Sequence, residues 1–379
     1  GGLGYIGLSV DSLESIYGIP FHGDEHGDEH GDEDHDEYGE ERIFSTTDSE
    51  SLTLKGSYNV NGSLVNKVDY TFRSSDYSLT EAHAEEGHDE DHGDEDHGDE
   101  DEEHAPTTFL NNATEYGAIF DMSSDEISQK VSFNFVDEDT SIFGEEAFMN
   151  PANNRELTLG YFVSKDYEPF HVDFGVRLDQ IDRTGSVSHE DGDLDRYSID
   201  DNTTSFAVNI GRDLTDNLDV TLGFASVERL PSVIELFMNG PHMATGRFEV
   251  GDPNLNSETS NNLDITFNYE NGDYYAYASF FINDVDNYIA LMDEDEDHGD
   301  DHHDEDHGDE DHGDEDDHGD DHDDHGHGNL IHANYVQEDA EFDGYEIEIG
   351  RTIELGAGEL TLSYGRDVIN EHFADGHNL

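Results

Sequence analysis

Leu218-Asp-Val-Thr-Leu-Gly-Phe-Ala225 and, further on, Leu263-Asp-Ile-Thr-Phe-Asn-Tyr269 decide how this chain folds. In both stretches an apolar side chain alternates with Asp, Thr, Gly or Asn. That period of two sorts residues onto the opposite faces of a strand. Outward from these, Val172, Phe174, Val176 and Leu178 alternate with Asp173, Gly175, Arg177 and Asp179, and Tyr345, Ile347 and Ile349 with Glu346, Glu348 and Gly350. One face is apolar and the other is charged. The pattern predicts thirteen strands, at about 3–17, 43–59, 64–78, 114–123, 128–136, 155–165, 170–183, 203–212, 217–227, 260–270, 273–290, 335–352 and 358–367.

The connections alternate in length. Short ones fall at Asn61–Gly62, Ser124–Asp125, Asp166–Pro169, Asp213–Asp216, Asn271–Asp273 and Glu354–Gly358, and long ones at 18–42, 79–113, 137–154, 184–202, 228–259 and 291–334. In a sheet of consecutive antiparallel strands, every other connection emerges at the same end. Short turns at one end, long loops at the other and a charged inner face describe an all-β fold, a transmembrane antiparallel β-barrel. A secreted β-sandwich with acidic insertions is the competing fold. Thirteen strands are many for one sandwich, and the alternation of loop lengths would have no reason there.

The formal charge is −82, and stretches 22–41, 81–103 and 293–328 hold 46 of the 97 acidic residues with no Lys or Arg. The other 300 residues still carry 51 acids against 15 bases. Such a surface repels nucleic acid and attracts cations, so no nucleic-acid partner is expected. Cysteine is absent, which excludes disulfides, thiolate metal sites and Cys nucleophiles. No run is apolar enough for a membrane-spanning helix, and no signal peptide opens the chain. Gly1 in place of an initiator Met suggests a chain that begins inside a longer protein. No motif arranges Ser, His and Asp for catalysis, so no enzyme and no organic cofactor are expected.

The loops at about 18–42, 79–113 and 291–334 carry tracts of His, Gly, Asp and Glu, with the unit His-Gly-Asp-Glu-Asp at His92–Asp96, His307–Asp311 and His312–Asp316. Eighteen of the 24 His fall in these tracts. Imidazole beside carboxylate suits borderline divalent metals, zinc above all, with nickel, copper and manganese open. His22, His26, His30, His92, His97, His302, His307 and His312 are candidate ligands of exchangeable, modest-affinity sites on disordered chain. Calcium is the rival. Asp293, Asp295 and Asp297 resemble an EF-hand opening, but His298 stands where Gly is required and the periodic His would go unexplained. A solvated acidic loop with incidental His is the bland alternative. Protonation below about pH 6 is expected to weaken His-based binding.

The stretch Val227–Asn262 contains Arg229-Leu-Pro-Ser-Val-Ile-Glu-Leu236, Gly240-Pro-His-Met-Ala-Thr245, Phe248-Glu-Val-Gly-Asp-Pro-Asn-Leu255 and Glu258-Thr-Ser260. It resembles the TonB-dependent outer-membrane receptors, and its His-Ala-Thr portion is similar to their zinc-uptake branch. Tyr17-Gly-Ile-Pro-Phe-His22, Asp286-Asn-Tyr-Ile289 and Gly344-Tyr-Glu-Ile-Glu348 extend the resemblance along nearly the whole chain. It implies a 22-stranded barrel with an N-terminal plug and a segment engaging the TonB energy-transducing complex. Residues 1–379 are then expected to be an interior piece of that barrel, since plug and TonB segment are not found and His377-Asn-Leu379 lacks the usual terminal aromatic.

The resemblance also implies that His242 is a metal ligand near the top of the barrel, with a hydrogen-bonded loop His as the plain alternative. Glu81, His83 and Glu86 follow the strand at 64–78 where related receptors carry a Tyr-x-His-x-Glu-like segment, although the spacing here departs from it. His22 belongs either to the first tract or to a defined site. Arg229, Pro231 and Glu235 read as structural. The expected function is import of zinc or another divalent metal across the outer membrane of a Gram-negative bacterium, with barrel lipid, TonB and the metal as partners. A siderophore, cobalamin or metal chelate as cargo is one alternative, and a surface metal-buffering protein without transport is another.

Overall fold

The computed structural model describes residues 2–19, 42–60, 62, 64–84, 106–144, 147–189, 192–242, 245–294 and 330–374. Among them thirteen long strands follow one another as β1 (Gly4–Ile19), β2 (Arg42–Asn59), β3 (Lys67–Ala84), β4 (Thr107–Asp121), β5 (Ser128–Phe143), β6 (Ala152–Tyr167), β7 (Phe170–Ser188), β8 (Leu194–Thr215), β9 (Leu218–Arg229), β12 (Glu258–Asn271), β13 (Tyr274–Asp293), β14 (Ile331–Glu354) and β15 (Glu359–Phe373). Each pairs antiparallel with its chain neighbours, and β9 pairs with β12. The connection between those two holds a short helix α1 (Val233–Phe237) and two small strands, β10 (Asn239–His242) and β11 (Arg247–Val250). Among the described residues β1 and β15 stay unpaired with each other, as two open edges of one sheet.

The sheet inverts the burial of a water-soluble protein. Leu263 and Ile282, paired across β12 and β13, are each 49% exposed, whereas Asp179 on β7 is 3% and Thr203 on β8 2% exposed. The buried carboxylate is satisfied: Thr158 donates to it at 2.7 Å, Thr203 at 3.2 Å and the Arg177 guanidinium at 2.7 Å. Polar ladders continue this inner face on β9, β12 and β13, with Asn268 donating to Asp219 at 3.0 Å and Thr266 beside Ser279 at 3.0 Å. A broad apolar face left in the open and a hydrogen-bonded polar face turned inward suit lipid outside and an aqueous or protein-filled lumen inside.

The expected strands are present, with one systematic difference. At the long-loop end β3 to β8 run well past their expected limits, so strand takes up 137–143 and 152–154, 184–188 and 194–202, and 79–84 and 107–113 of the expected loops. Apolar alternation is needed only across the membrane, about 9–11 residues of tilted strand. Beyond it the outer face no longer meets lipid and need not be apolar, so the strict pattern stops while the backbone ladder continues. Asp195-Arg-Tyr-Ser-Ile-Asp-Asp-Asn202 on β8 is such a stretch.

A buried apolar cluster lies where the β9–β12 connection folds in. Leu236, Phe237 and Met238 pack with Ile142, Phe148, Met149 and Ala152, and Tyr197, Ile199 and Tyr335 close around them. Burial of each large side chain is worth about 1.5–3 kcal/mol. Gly185 on β7 makes the fit possible, because a Cβ there would run into the Phe237 ring.

Candidate functional site

The site begins where β9 ends. Arg229 makes paired hydrogen bonds to Glu235 at 3.0 and 3.2 Å and to Glu258 at 3.1 Å each, which ties α1 to the first residue of β12. Pro231 sits just before the helix, Ser232 caps it, and Glu235 returns a bond to the Ser232 amide at 2.5 Å, a capping box. Burial alone would raise the Glu235 carboxyl, but Arg229 and Ser232 outweigh it and hold the group below its ordinary range. Arg229 and Glu235, expected from sequence to shape a strand end, thus join β9, α1 and β12.

This frame presents the β10–β11 hairpin, with His242 opposite Arg247 and Gly240 opposite Glu249. His242 Nδ1 lies 3.0 Å from Glu249 Oε1, and the Thr245 hydroxyl donates to the same oxygen at 2.8 Å. The Glu249 side chain is only 5% exposed and that of His242 23%. Burial pushes the Glu249 carboxyl up, yet the bonds from His242 and Thr245 prevail and keep it below the ordinary glutamate range. The Phe148 ring lies 4.6 Å from the imidazole and Phe109 6.5 Å, centroid to centroid. Gly240 allows that approach, since a Cβ there would sit 2.8 Å from the Phe148 Cα. Tyr335 of β14 packs against the same apolar cluster as Phe148.

A neutral imidazole donating from Nδ1 to a carboxylate leaves Nε2 as a lone-pair donor, the arrangement found behind metal-bound histidines. Among the described residues His242 Nε2 makes no hydrogen bond. The hairpin is also fastened to the far wall. β11 pairs in parallel with the outer end of β14, Phe248 stacks on His332 at 5.1 Å, and Arg247 holds Asp293 through bonds of 2.6 and 3.0 Å.

The model of the family described as "TonB dependent receptor-like, beta-barrel" matches residues 7–376. The chain belongs to the TonB-dependent receptor family. It is thus part of an outer-membrane β-barrel, in a family of receptors and transporters rather than enzymes. Heme/hemopexin utilization protein C of Haemophilus influenzae is 34% identical over 157 residues, which cover 38% of this chain and 21% of that protein. Among solved structures, the Serratia marcescens hemophore receptor HasR aligns with TM-score 0.58 at 13% identity, covering 86% of this chain and 52% of HasR. The copper transporter OprC aligns with TM-score 0.60 at 12% identity, covering 88% and 51%. The receptor segment thus spans about half the length of these structures, and likenesses this distant speak for the fold alone. The names of these relatives speak of haem and copper, and the narrower likeness to zinc receptors rests on the His-Ala-Thr residues alone.

Of the ligands expected from sequence, His242 occupies an ordered site. Glu81 lies near the outer end of β3, opposite Thr107 of β4, and the backbone of His83 continues that strand. His22, His26, His30, Glu86, His92, His97, His302, His307 and His312 fall outside the described residues. Among the described residues no three His, Asp or Glu side chains converge as a metal cage. Sequence reasoning passed over Glu249, Thr245 and Tyr335. Glu249 was open to discovery as the lone acid between Phe248 and Val250 on a short alternating stretch, seven residues after His242.

Proposed function

We propose that the full-length receptor imports a divalent metal, zinc foremost, through the outer membrane with energy from the TonB complex. The observation that carries this reading is the His242–Glu249 pair. It holds an imidazole at the barrel mouth with one nitrogen fixed by a buried carboxylate and the other left to meet cargo. The sequence supplies the cation side of the argument, since 18 of the 24 His and 46 of the 97 acids crowd into three connections that parity assigns to the outer end. Those tracts concentrate the cation and His242 contributes to its selective binding. Plug and TonB segment, which the family supplies, release it inward.

A second reading is haem as cargo. It is favoured by the Haemophilus relative and by the Phe148 and Phe109 rings beside the imidazole, an apolar setting in which His serves haem iron. Calorimetry on the full-length receptor and its His242→Ala variant, with zinc chloride and with haemin, separates the two. Zinc import requires a zinc site that His242→Ala weakens about 10- to 100-fold, above a background of weaker sites. Haemin binding that depends on His242, with unchanged zinc binding, would sink the zinc reading in favour of haem.

A further inference from the structure

The β9–β12 connection, residues 230–257, leaves the sheet at β9 and is fastened three strands away on each side. Toward β6, Met238 bridges Met149, the Asn239 amide donates to the Phe148 carbonyl at 2.7 Å, and the Asn239 side chain donates to Ser188 at 2.8 Å. Phe237 fills the space over Gly185 on β7. Toward β14, four residues of β11 pair with Ile331–Asn334. The Gln337 side chain accepts from the Asn256 amide at 2.8 Å and donates to the carbonyls of Asn256 at 2.9 Å and Asn287 at 3.1 Å. One connection thus holds two walls that are six strands apart in the sheet order.

We infer that residues 230–257 form a permanent tie across the barrel mouth, docked on both walls throughout transport, and that the moving parts lie elsewhere. A gating loop is drawn from the weakly held parts of a fold, with few buried apolar contacts and exposed backbone bonds. This connection has the opposite build: a buried apolar cluster on one side, a strand ladder on the other and a doubly bonded Arg229 at its root. It follows that His242 is a fixed platform. Cargo comes to it, and the sheet between β6 and β14 cannot flatten without breaking both fastenings.

The bridge at Met149 and Met238 provides the test, because its flanking hydrogen bond marks the close, non-hydrogen-bonded kind of pair, with Cα atoms roughly 4.5 Å apart and within reach of a disulfide. This segment contains no cysteine of its own. In the full-length receptor carrying Met149→Cys and Met238→Cys, a permanent tie predicts zinc and haemin uptake within about twofold whether the pair is oxidised or reduced. Uptake that is lost on oxidation and restored by reductant overturns it. Should the double variant fail to assemble, spin labels at Ile234→Cys and Asp195→Cys decide the matter. Their separation is expected to hold within about 1 Å when either probe is added, and a change above about 2 Å refutes the tie. The label distance is read whichever cargo proves right, and a receptor that takes up neither probe counts against the import reading.

Discussion

Two connections leave the same end of the sheet and meet at β14, yet they are made of opposite materials. Residues 230–257 offer Leu236, Phe237 and Met238 to a core, a capped turn of helix and two strands that pair. Residues 293–328 contain only Asp, Glu, His and Gly. The first has apolar side chains to bury and strands to pair, and the second has only carboxylates, imidazoles and glycines. Where they touch, Arg247 of the first holds Asp293, the opening residue of the second. Under the proposed function the first connection supplies position and the second supplies capacity for cations.

The largest effect that can break this division is expected at Phe237. Phe237→Ala empties the pocket over Gly185 and costs about 3–5 kcal/mol, which hydrogen exchange of amides 233–250 reads as lost protection. Unchanged protection there would mean that the apolar cluster does not hold the connection.

Next comes Glu249→Gln, which keeps the shape but removes the charge facing His242, at about 1–3 kcal/mol near neutral pH. The same carboxylate sets a pH dependence. Its folded pKa lies below the ordinary value of 4.5, so its contribution is complete above that value and is lost as pH falls through the lower folded one. Exchange protection of 239–250, corrected for the intrinsic rate, should decline in that acid range in the wild type. In Glu249→Gln it should not, and identical profiles would remove Glu249 from the account.

Arg247→Gln is expected to be milder, about 0.2–1 kcal/mol, because the pair with Asp293 is substantially exposed. The smallest effect on the fold belongs to the tract itself. Replacing 295–328 with a short Gly-Ser linker should leave thermal stability within about 0.5 kcal/mol while reducing the number of zinc ions bound at saturation. A large loss of stability would show that the tract does structural work after all.

The same contrast explains what was legible beforehand. The membrane-crossing parts of all thirteen strands could be read because lipid on one side and a polar lumen on the other impose a strict period of two. Leu263-Asp-Ile-Thr-Phe carries that imprint and Asp195-Arg-Tyr-Ser does not, since the latter lies beyond the lipid and only Tyr197 packs on the apolar cluster. The helix after β9 falls within the expected loop 228–259, although Ser232-Val-Ile-Glu235 followed by Leu236-Phe237 is a capping-box signature before apolar residues. Too short for a helical period, it stood out only by its cap. His242 was legible by resemblance. Its partners were not, because Glu249, Thr245, Phe148 and Tyr335 come together only when residues 230–257 fold across two distant walls.

One pairing carries a consequence for how such a receptor can change over generations. Asp293 and Ala333 face each other across β13 and β14, and Glu81 and Thr107 across β3 and β4, so the chain between each pair starts and finishes at neighbouring points on a finished ladder. Closing a chain onto fixed ends costs free energy that grows only with the logarithm of its length, about 0.6 kcal/mol per doubling. His-Gly-Asp-Glu-Asp units can therefore be gained or lost by slippage of a repetitive gene with little penalty to the barrel. The number of imidazoles and carboxylates in these connections is then free to drift, while the ladders that hold their ends stay the same.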